Sequence, residues 1–269
     1  MIKADQHDAE PFIPSTLFSQ RQTIMESKSI GEGGRIFQSP VLEALTKTHI
    51  SIPLVIFYGI AVAAIWWSID VLHLDVVATI ALFLVGLFFF TLTEYTVHRY
   101  FYHMGTDSPK KARMQYVFHG VHHEHPRDKK RLALPPLMSV LVASVFIGLF
   151  RLLLGEHGFA FGGGFMAGYA TYLLAHYAIH VYNPPKNILR VIWKHHNLHH
   201  FVGDTGAFGV SSPFWDHIFG TMPVDPRLKR AQKAFRKYPF EYSFAYSTET
   251  FSGLSLKNSS VARFTPGDM

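Results

Sequence analysis

The stretch Glu94–His103, EYTVHRYFYH, together with Phe118–Pro126, FHGVHHEHP, is the part of the chain that decides the fold. The first stretch ends a long apolar run, and both place histidines a few residues apart. Similar groups recur in the second half of the chain. The four groups are His98 and His103; His119, His122 and His123; His176 and His180; and His196, His199 and His200. They hold ten of the chain's seventeen histidines, a clustering that is typical of a metal site.

The spacings within the groups explain why metal binding is expected. Residues three and four apart share one face of a helix, so His176 and His180, and the three histidines of each H-x-x-H-H motif, point toward one side. Buried polar rings cost free energy unless they are paired or ligated. Imidazole suits iron, zinc or copper better than magnesium or calcium, and ten imidazoles exceed the roughly four to six ligands of one ion. We therefore predict two metal ions.

His98 and His103 do not fit that pattern, because residues five apart diverge by roughly 140° on an ideal α-helix. Either the helix ends near His103 or the two residues bind different metals. Glu94, one turn before His98, could orient an imidazole through its free N–H or could pair with Arg99. The roles of three further histidines beside the groups stay open: His125, His195 and His217.

The composition limits the classes of protein that remain. The chain has 269 residues, of which 48% are hydrophobic and none is cysteine. This length is expected to form one domain. The lack of cysteine excludes disulfides, thiolate nucleophiles, iron–sulfur clusters and cysteine-ligated zinc. The net charge of +6 comes without a nucleic-acid-binding motif, so an anionic lipid surface explains the basic residues better than nucleic acid does.

Four apolar runs approach or reach the length of about 20 residues that crosses a bilayer. They are Pro53–Val71, Val76–Thr93, Leu134–Leu154 and Gly158–Tyr182. The link between the second and third runs is crowded with lysine and arginine, whereas the other two links contain neither, and basic links face the cytosol. We therefore expect an all-α integral membrane protein with about four transmembrane helices. Both termini and a helical cap that holds the histidines would lie in the cytosol.

These expectations divide the chain into three segments. Residues 1–50 form a polar cytosolic segment, with a short helix at the membrane surface within Arg35–Thr46, where Ser39 is the expected N-cap. Residues 51–226 form the membrane domain with its two-metal centre. Residues 227–269 form a basic tail that contains serine.

Two shorter elements complete the predicted membrane domain. Lys186–His200 is expected to be a helix that carries the last histidine group. Phe208–Thr221, FGVSSPFWDHIFGT, is a compact aromatic segment. Within it, Trp215 and Asp216 either shape the metal site or serve packing and helix capping.

The sequence resembles the fatty acid hydroxylase and sterol desaturase superfamily, and within it most closely the fatty acid 2-hydroxylases. The resemblance extends from about Gly33 to Pro223. It depends on the stretches EYTVHRYFYH, HGVHHEHPRDKKRLALPP, GGGFMAGY, HYAIH, HNLHH and FGVSSPFWDHIFGT. All ten histidines of the four groups coincide with the metal-ligand motifs of that family, which implies that they are the ligands here.

The resemblance also implies an O2-dependent enzyme with two metal ions, iron when active and zinc possible in the isolated protein. Such enzymes hydroxylate the carbon next to the acyl carbonyl of sphingolipids, ceramides or free fatty acids. Many relatives carry a fused cytochrome b5 domain, and this sequence shows no haem-binding pattern. A separate electron donor is therefore expected, such as cytochrome b5 or a ferredoxin with its reductase. The expected location is the endoplasmic reticulum in a eukaryote and the cytoplasmic membrane in a bacterium.

Ligand spacing alone does not separate hydroxylation from desaturation. A sterol or lipid desaturase, or a C4-methyl oxidase of the same superfamily, is therefore the alternative function. A non-enzymatic membrane metal-binding protein or transporter is more distant, because a transporter would place its ligands along a path through the bilayer, whereas these histidines gather at one face. The exact lipid and the oligomeric state stay open.

Overall fold

The computed structural model describes residues 35–203 and 205–223. Within these ranges the chain consists of helices and loops without strands, which confirms the all-α prediction. The described α-helices are α1 Pro40–Leu45, α2 Ser51–Trp66, α3 Val76–Thr96, α4 Pro109–Gln115, α5 Val121–Glu124, α6 Pro136–Leu154, α7 His157–Val181, α8 Arg190–Phe201 and α9 Phe214–Ile218. Three π-helical turns continue α2, α3 and α4, and they are Trp67–Val71, Val97–Tyr102 and Tyr116–Gly120.

Three of the described helices are long and apolar enough to cross a membrane, which indicates a membrane-embedded protein. With their π-helical ends they cover Ser51–Val71, Val76–Tyr102 and Pro136–Leu154. α7 has 25 residues, but its glycines, tyrosines and histidines make it less apolar than these three. Because α7 coincides with the fourth predicted apolar run, the number of spans stays a prediction.

α7 packs against α2, α3 and α6 and so lies at the centre of the bundle. Glycines make this position possible, because they let neighbouring backbones approach closely. A side chain at Gly164 would overlap the carbonyl oxygen of Phe83 on α3, and one at Gly86 would overlap that of Phe161 on α7. The buried side chains around this contact include Phe57, Phe90, Phe150, Phe165 and Met166. The close α3–α7 packing fixes the histidines at the ends of these two helices relative to each other.

α1 begins where the sequence predicts, but Ser39 makes no capping hydrogen bond. Glu43, in the first turn of α1, instead holds the chain that leads into the helix, since its Oε2 accepts the backbone N–H groups of Ile36 and Phe37 at 3.0 Å each. The other carboxylate oxygen of Glu43 pairs with Arg131, in the loop before α6. α1 is thereby tied to that loop, while its place at the membrane surface stays a prediction.

The basic stretch between the first two histidine groups contains a helix, α4, that was not predicted. Ser108 Oγ caps it by accepting the Lys111 N–H at 3.3 Å, and Pro109 occupies its first position. Serine followed by proline is a helix-start signal that the sequence did contain.

α8 begins at Arg190 rather than at Lys186. The reason is a turn before it, in which Asn187 Oδ1 accepts the Leu189 N–H at 3.0 Å and its carbonyl accepts the Arg190 N–H at 3.1 Å. Of the predicted segments, residues 1–34 and all of 227–269 lie outside the described residues.

Candidate metal centre

The four histidine groups meet in one cluster where α3, α5, α7 and α8 come together. Their candidate ligand atoms form two sets, and within each set all of these atoms lie within 4.8 Å of one another. Site A comprises His98, His103, His119, His123 and His199, and site B comprises His122, His176, His180, His196 and His200. The two sites adjoin, since the rings of His123 and His200 stack with their centroids 4.2 Å apart. All ten predicted histidines are therefore together, and each set could hold a metal ion.

Each H-x-x-H-H motif contributes to both sites. His119 and His123 belong to site A and His122 to site B, whereas His196 and His200 belong to site B and His199 to site A. Successive helical residues are rotated by about 100°, so adjacent histidines diverge while residues four apart stay nearly in line. The expectation that each motif directs three imidazoles toward one side is corrected accordingly. Each motif lies across the boundary between the sites.

His98 and His103 lie together in site A, although an α-helix would separate them. The π-helical turn Val97–Tyr102 brings them together, because its hydrogen bonds span five residues instead of four. The His103 N–H accordingly donates to the His98 carbonyl at 3.2 Å. The alternative that these two residues bind different metals is wrong, and the helix does end beside His103.

The Nε2 atoms of the histidines face one another at short range. In site B they form a closed ring in which neighbours lie 2.9–3.2 Å apart. In site A, His119 Nε2 lies 3.0 Å from both His98 Nε2 and His123 Nε2. An octahedral ion with bonds of about 2.1 Å has neighbouring nitrogens about 3.0 Å apart, whereas a tetrahedral ion has them about 3.4 Å apart. The spacing therefore fits an ion with more than four ligands.

Backbone carbonyls orient two imidazoles of site A. His98 Nδ1 donates to the Phe208 carbonyl at 2.6 Å, and His199 Nδ1 donates to the Gly206 carbonyl at 2.8 Å. A proton held on Nδ1 leaves the Nε2 lone pair for an ion. Among the described residues, three buried Nδ1 atoms of site B have no such partner: those of His122, His196 and His200. Two rings of site A are therefore held by hydrogen bonds that these rings of site B lack.

Glu94 accepts hydrogen bonds from the segment that contains those carbonyls. Its Oε1 accepts the backbone N–H groups of Val210 and Ser211 at 2.5 and 2.9 Å, and its Oε2 accepts the Ser211 hydroxyl. The expectation that Glu94 touches an imidazole or Arg99 is wrong, since Arg99 donates to the Tyr95 hydroxyl at 2.8 Å instead. We call residues 206–211 the strap. Two of its carbonyls accept hydrogen bonds from rings of site A, and its amides donate to Glu94 and Asp216.

Asp216 also accepts hydrogen bonds from the strap. Its two oxygens accept the backbone N–H groups of Phe208 and Gly209 at 2.9 and 2.7 Å, and also the Thr221 hydroxyl at 2.7 Å. His195 Nε2 donates to the same carboxylate at 3.0 Å, which places His195 outside both metal sites. Burial raises the pKa of Asp216, but the hydrogen bonds from His195, Thr221 and the amides outweigh burial and lower the pKa overall. Asp216 is therefore ionised at neutral pH.

The two other histidines with open roles also lie outside sites A and B. His125 is half-buried just after α5, and His217 is exposed on α9. Neither joins a set of candidate ligands within the described residues.

Burial lowers the pKa of the cluster histidines that lie outside the spans, and the neighbouring imidazoles lower it further. This direction applies to His119, His122, His196 and His200. These rings are therefore neutral at pH 7, which is the form that binds a metal ion.

Two tyrosines that sequence reasoning missed pack flat against histidine rings. The Tyr102 ring lies 4.8 Å from that of His119 with an interplanar angle of 13°, and the Tyr172 ring lies 5.6 Å from that of His176 at 8°. Tyr172 precedes His176 by four residues, a helical spacing that was visible in the sequence. The strap carbonyls, in contrast, are backbone groups that no side-chain motif reveals.

The fold and the site define a membrane-embedded helical protein with a histidine cluster that could hold metal ions. A model of the fatty acid hydroxylase family matches residues 83–221, just over half of the 269 residues. This match contains every histidine of sites A and B. The chain belongs to the fatty acid hydroxylase family.

Curated relatives and a solved structure agree with this assignment. Dihydroceramide fatty acyl 2-hydroxylase FAH1 of Arabidopsis thaliana is 30% identical over 218 residues, covering 75% of this chain and 85% of that protein. Human fatty acid 2-hydroxylase is 39% identical over 154 residues, covering 55% of this chain and 41% of that protein. The structure of full-length scs7p, in which only the hydroxylase domain is visible, has 32% identity and a TM-score of 0.63, covering 69% of this chain and 70% of that one. The resemblance inferred from sequence is confirmed.

Proposed function

We propose that this protein hydroxylates carbon 2 of fatty acyl chains with two metal ions, one at site A and one at site B. The observation that carries the proposal is the pair of five-histidine sets, each within 4.8 Å, in a chain of the fatty acid hydroxylase family. Relatives are named dihydroceramide fatty acyl 2-hydroxylase and fatty acid 2-hydroxylase. The protein is accordingly a hydroxylase, an oxidoreductase, that acts on acyl chains of sphingolipids or on free fatty acids.

Iron is the proposed metal of the active enzyme, and zinc could replace it in isolated protein. Five histidines per site exceed the four ligands of a tetrahedral zinc site, which favours an ion of higher coordination number. The bound ions supply the O2-dependent oxidation of a C–H bond, which acid–base side chains cannot perform. The electrons come from a separate donor, such as cytochrome b5 or a ferredoxin with its reductase.

The residues of the chain orient the imidazole rings, admit the acyl chain and exclude water from the sites. The strap fixes the rings of His98 and His199 through its carbonyls, and Tyr102 and Tyr172 limit the rotation of the rings on which they pack. The apolar surfaces of the long helices admit an acyl chain from the bilayer while its polar head stays at the interface. The distance of the sites from that interface then selects the carbon that reacts, and the packed helices exclude water.

The proposed topology places both termini and the histidine cluster in the cytosol, because basic residues concentrate between α3 and α6. The membrane is the endoplasmic reticulum in a eukaryote or the cytoplasmic membrane in a bacterium. Residues 51–226 are the proposed hydroxylase domain, between a polar segment of residues 1–50 and a basic tail of residues 227–269.

Lipid analysis tests the function directly. The protein is expressed in a membrane that contains ceramides and fatty acids, together with an electron donor, and the acyl chains are analysed by mass spectrometry. Acyl chains heavier by one oxygen at carbon 2 are expected with the wild type and not with His122→Ala. New double bonds or oxidised sterols would indicate another branch of the superfamily. Unchanged lipids despite bound metal would contradict an enzymatic role.

A further inference from the structure

A cavity of about 290 Å³ lies against site B on the side of the loop between α5 and α6. Its wall includes His180 of site B, so the cavity and the candidate metal site share a residue. Apart from His180, none of the residues that line the cavity is a candidate metal ligand. The reaction proposed above assigns the cavity no role. The composition of the lining indicates which kind of ligand the cavity could bind.

The charged side chains of that lining are cationic. Arg127 and Lys129 line the cavity, and no aspartate or glutamate does. Asp128 lies between them in sequence, but its carboxylate accepts the Arg131 Nε–H and the Lys130 N–H at 3.1 Å each. Within the described part of the chain, no carboxylate pairs with Arg127 or Lys129. The two cations are thus available to an anionic group.

The remaining lining combines apolar side chains with the polar groups of Asn183 and Asn197. Ile179 and Val181 come from the end of α7, and Trp193 and Phe201 come from α8. Apolar side chains beside convergent polar groups are typical of a pocket for a small organic ligand. A hydrocarbon chain that ends in an anionic head satisfies both parts of this lining, whereas a hydrophilic anion would leave the apolar wall unmatched.

We propose that this cavity binds the anionic head of an acyl substrate, with the carboxylate or phosphate against Arg127 and Lys129 and the adjoining carbons against Trp193. The inference rests on the proposed function, because carbon 2 of a fatty acid is one bond from its carboxyl carbon. A carboxylate held beside His180 keeps carbon 2 next to site B. A free fatty acid therefore binds here more tightly than a neutral acyl lipid of the same length.

Tryptophan fluorescence of the metal-loaded protein in uncharged detergent tests the inference. The probe is 2-bromohexadecanoate, whose bromine quenches a tryptophan that it touches. Trp193→Phe is the control for position, since Trp66, Trp67 and Trp215 are the other tryptophans. Saturable quenching is expected with the wild type, and the Trp193→Phe variant is expected to lose most of it. Equal quenching in both proteins would place the binding elsewhere and overturn the inference.

Charge dependence provides the second readout. Arg127→Gln combined with Lys129→Gln is expected to raise the Kd for the acid roughly three- to tenfold, as for solvent-screened ion pairs, and to leave the Kd for its methyl ester unchanged. Lys110→Gln removes an exposed cation from α4, outside the cavity lining, and is the matched control. The proposal fails if the wild type binds the ester as tightly as the acid, or if the control has the effect of the double variant.

Competition and lipid analysis separate the remaining possibilities. Displacement of the probe by hexadecanoate at lower concentration than by hexadecyl phosphate identifies a carboxylate pocket, and the opposite order identifies a pocket for lipid phosphate. A wild type that hydroxylates ceramide at carbon 2 without anion-dependent quenching contradicts the inference and leaves the proposed function intact. A wild type that shows anion-dependent quenching but never hydroxylates an acyl chain supports the anion pocket and contradicts the proposed function.

Discussion

His195 and His196 are neighbours in sequence and both are buried, but only His196 belongs to site B. His195 donates to Asp216 instead. We expect His195→Gln to keep about two ions per chain and to lose about 1–3 kcal/mol of stability, because a buried carboxylate loses a hydrogen bond. We expect His196→Gln to lose metal. Elemental analysis and thermal unfolding of both variants check this pair, and equal metal loss would contradict the division of roles.

Glu94 is expected to support site A without touching it. Glu94→Gln keeps the volume of the side chain but replaces one acceptor oxygen by an amide, so the strap loses a hydrogen bond to Val210 or Ser211. We expect a stability loss of about 1–3 kcal/mol and a preferential loss of metal from site A, because the strap carbonyls orient His98 and His199.

Metal content per chain and the melting temperature measure both effects. Asp107→Asn is the matched control, since it removes the same charge from an exposed carboxylate whose ion pair among the described residues is with Lys111 in the following turn. If the Glu94 and Asp107 variants keep the same metal content and melting temperature, the strap does not act as described.

At the scale of single residues, the sequence was enough to identify the ten histidines of the cluster, because their type and spacing are local properties. It could not assign each to site A or site B. That division depends on how α5 and α8 are rotated toward α3 and α7, which is a tertiary property. The contacts of Glu94 were missed for the same reason, since its partners lie 116 and 117 residues away in the chain.

At the scale of the helices, the contact between α3 and α7 depends on glycine. Gly164→Ala is expected to destabilise the protein by about 1–3 kcal/mol, because its methyl group would overlap the Phe83 carbonyl and backbone cannot yield easily. Gly148→Ala is the control, since Gly148 has open space around its Cβ position, and it is expected to be neutral or slightly stabilising. Thermal unfolding in detergent compares the two, and equal melting temperatures would contradict the close packing.

The tie between α1 and the loop before α6 depends on pH. Burial raises the pKa of Glu43, but hydrogen bonds from the Phe37 and Ile36 amides and from Arg131 outweigh burial and lower the pKa from 4.5 to about 2. A lowered folded-state pKa means that Glu43 stabilises α1 above pH 4.5 and loses this effect as the pH falls toward 2. The protection factors of the amides within residues 36–46, that is, the intrinsic exchange rate at each pH divided by the observed rate, are expected to fall across that interval.

Glu43→Gln provides the comparison that isolates this group. The variant is expected to exchange faster than the wild type at pH 6 and to change less as the pH falls, because its side chain does not titrate. Parallel pH profiles for the two proteins would show that other groups hold α1.

The elements themselves were predictable to different degrees. The start of α1 at Pro40 and the apolar runs follow from local signals, namely proline at the first helical position and continuous hydrophobicity. The π-helical turn at His98 was not predictable in this way. Its sequence is compatible with an ordinary α-helix, and the extra residue per turn is detectable only from the hydrogen bond between His103 and His98.

At the scale of the whole molecule, the absence of cysteine makes the topology easy to test. Single cysteines replace the exposed residues Asp107, Glu156 and Asn183, and an impermeant thiol reagent is applied to sealed vesicles whose outer surface is the non-cytosolic face of the membrane. We expect labelling at position 156 only, because the basic link between α3 and α6 and the end of α7 should both face the cytosol. Labelling of positions 156 and 183 together would show that α7 does not cross the membrane.

The shared H-x-x-H-H motifs have a mechanical consequence. One peptide bond joins His122 to His123, and another joins His199 to His200, and each bond connects a residue of one site to a residue of the other. The two sites are therefore mechanically coupled through the backbone of α5 and α8. Rotation or translation of α5 or α8 disturbs both coordination shells at once. Motions that let substrate in and product out without disturbing either site are therefore expected in segments that carry none of the ten histidines.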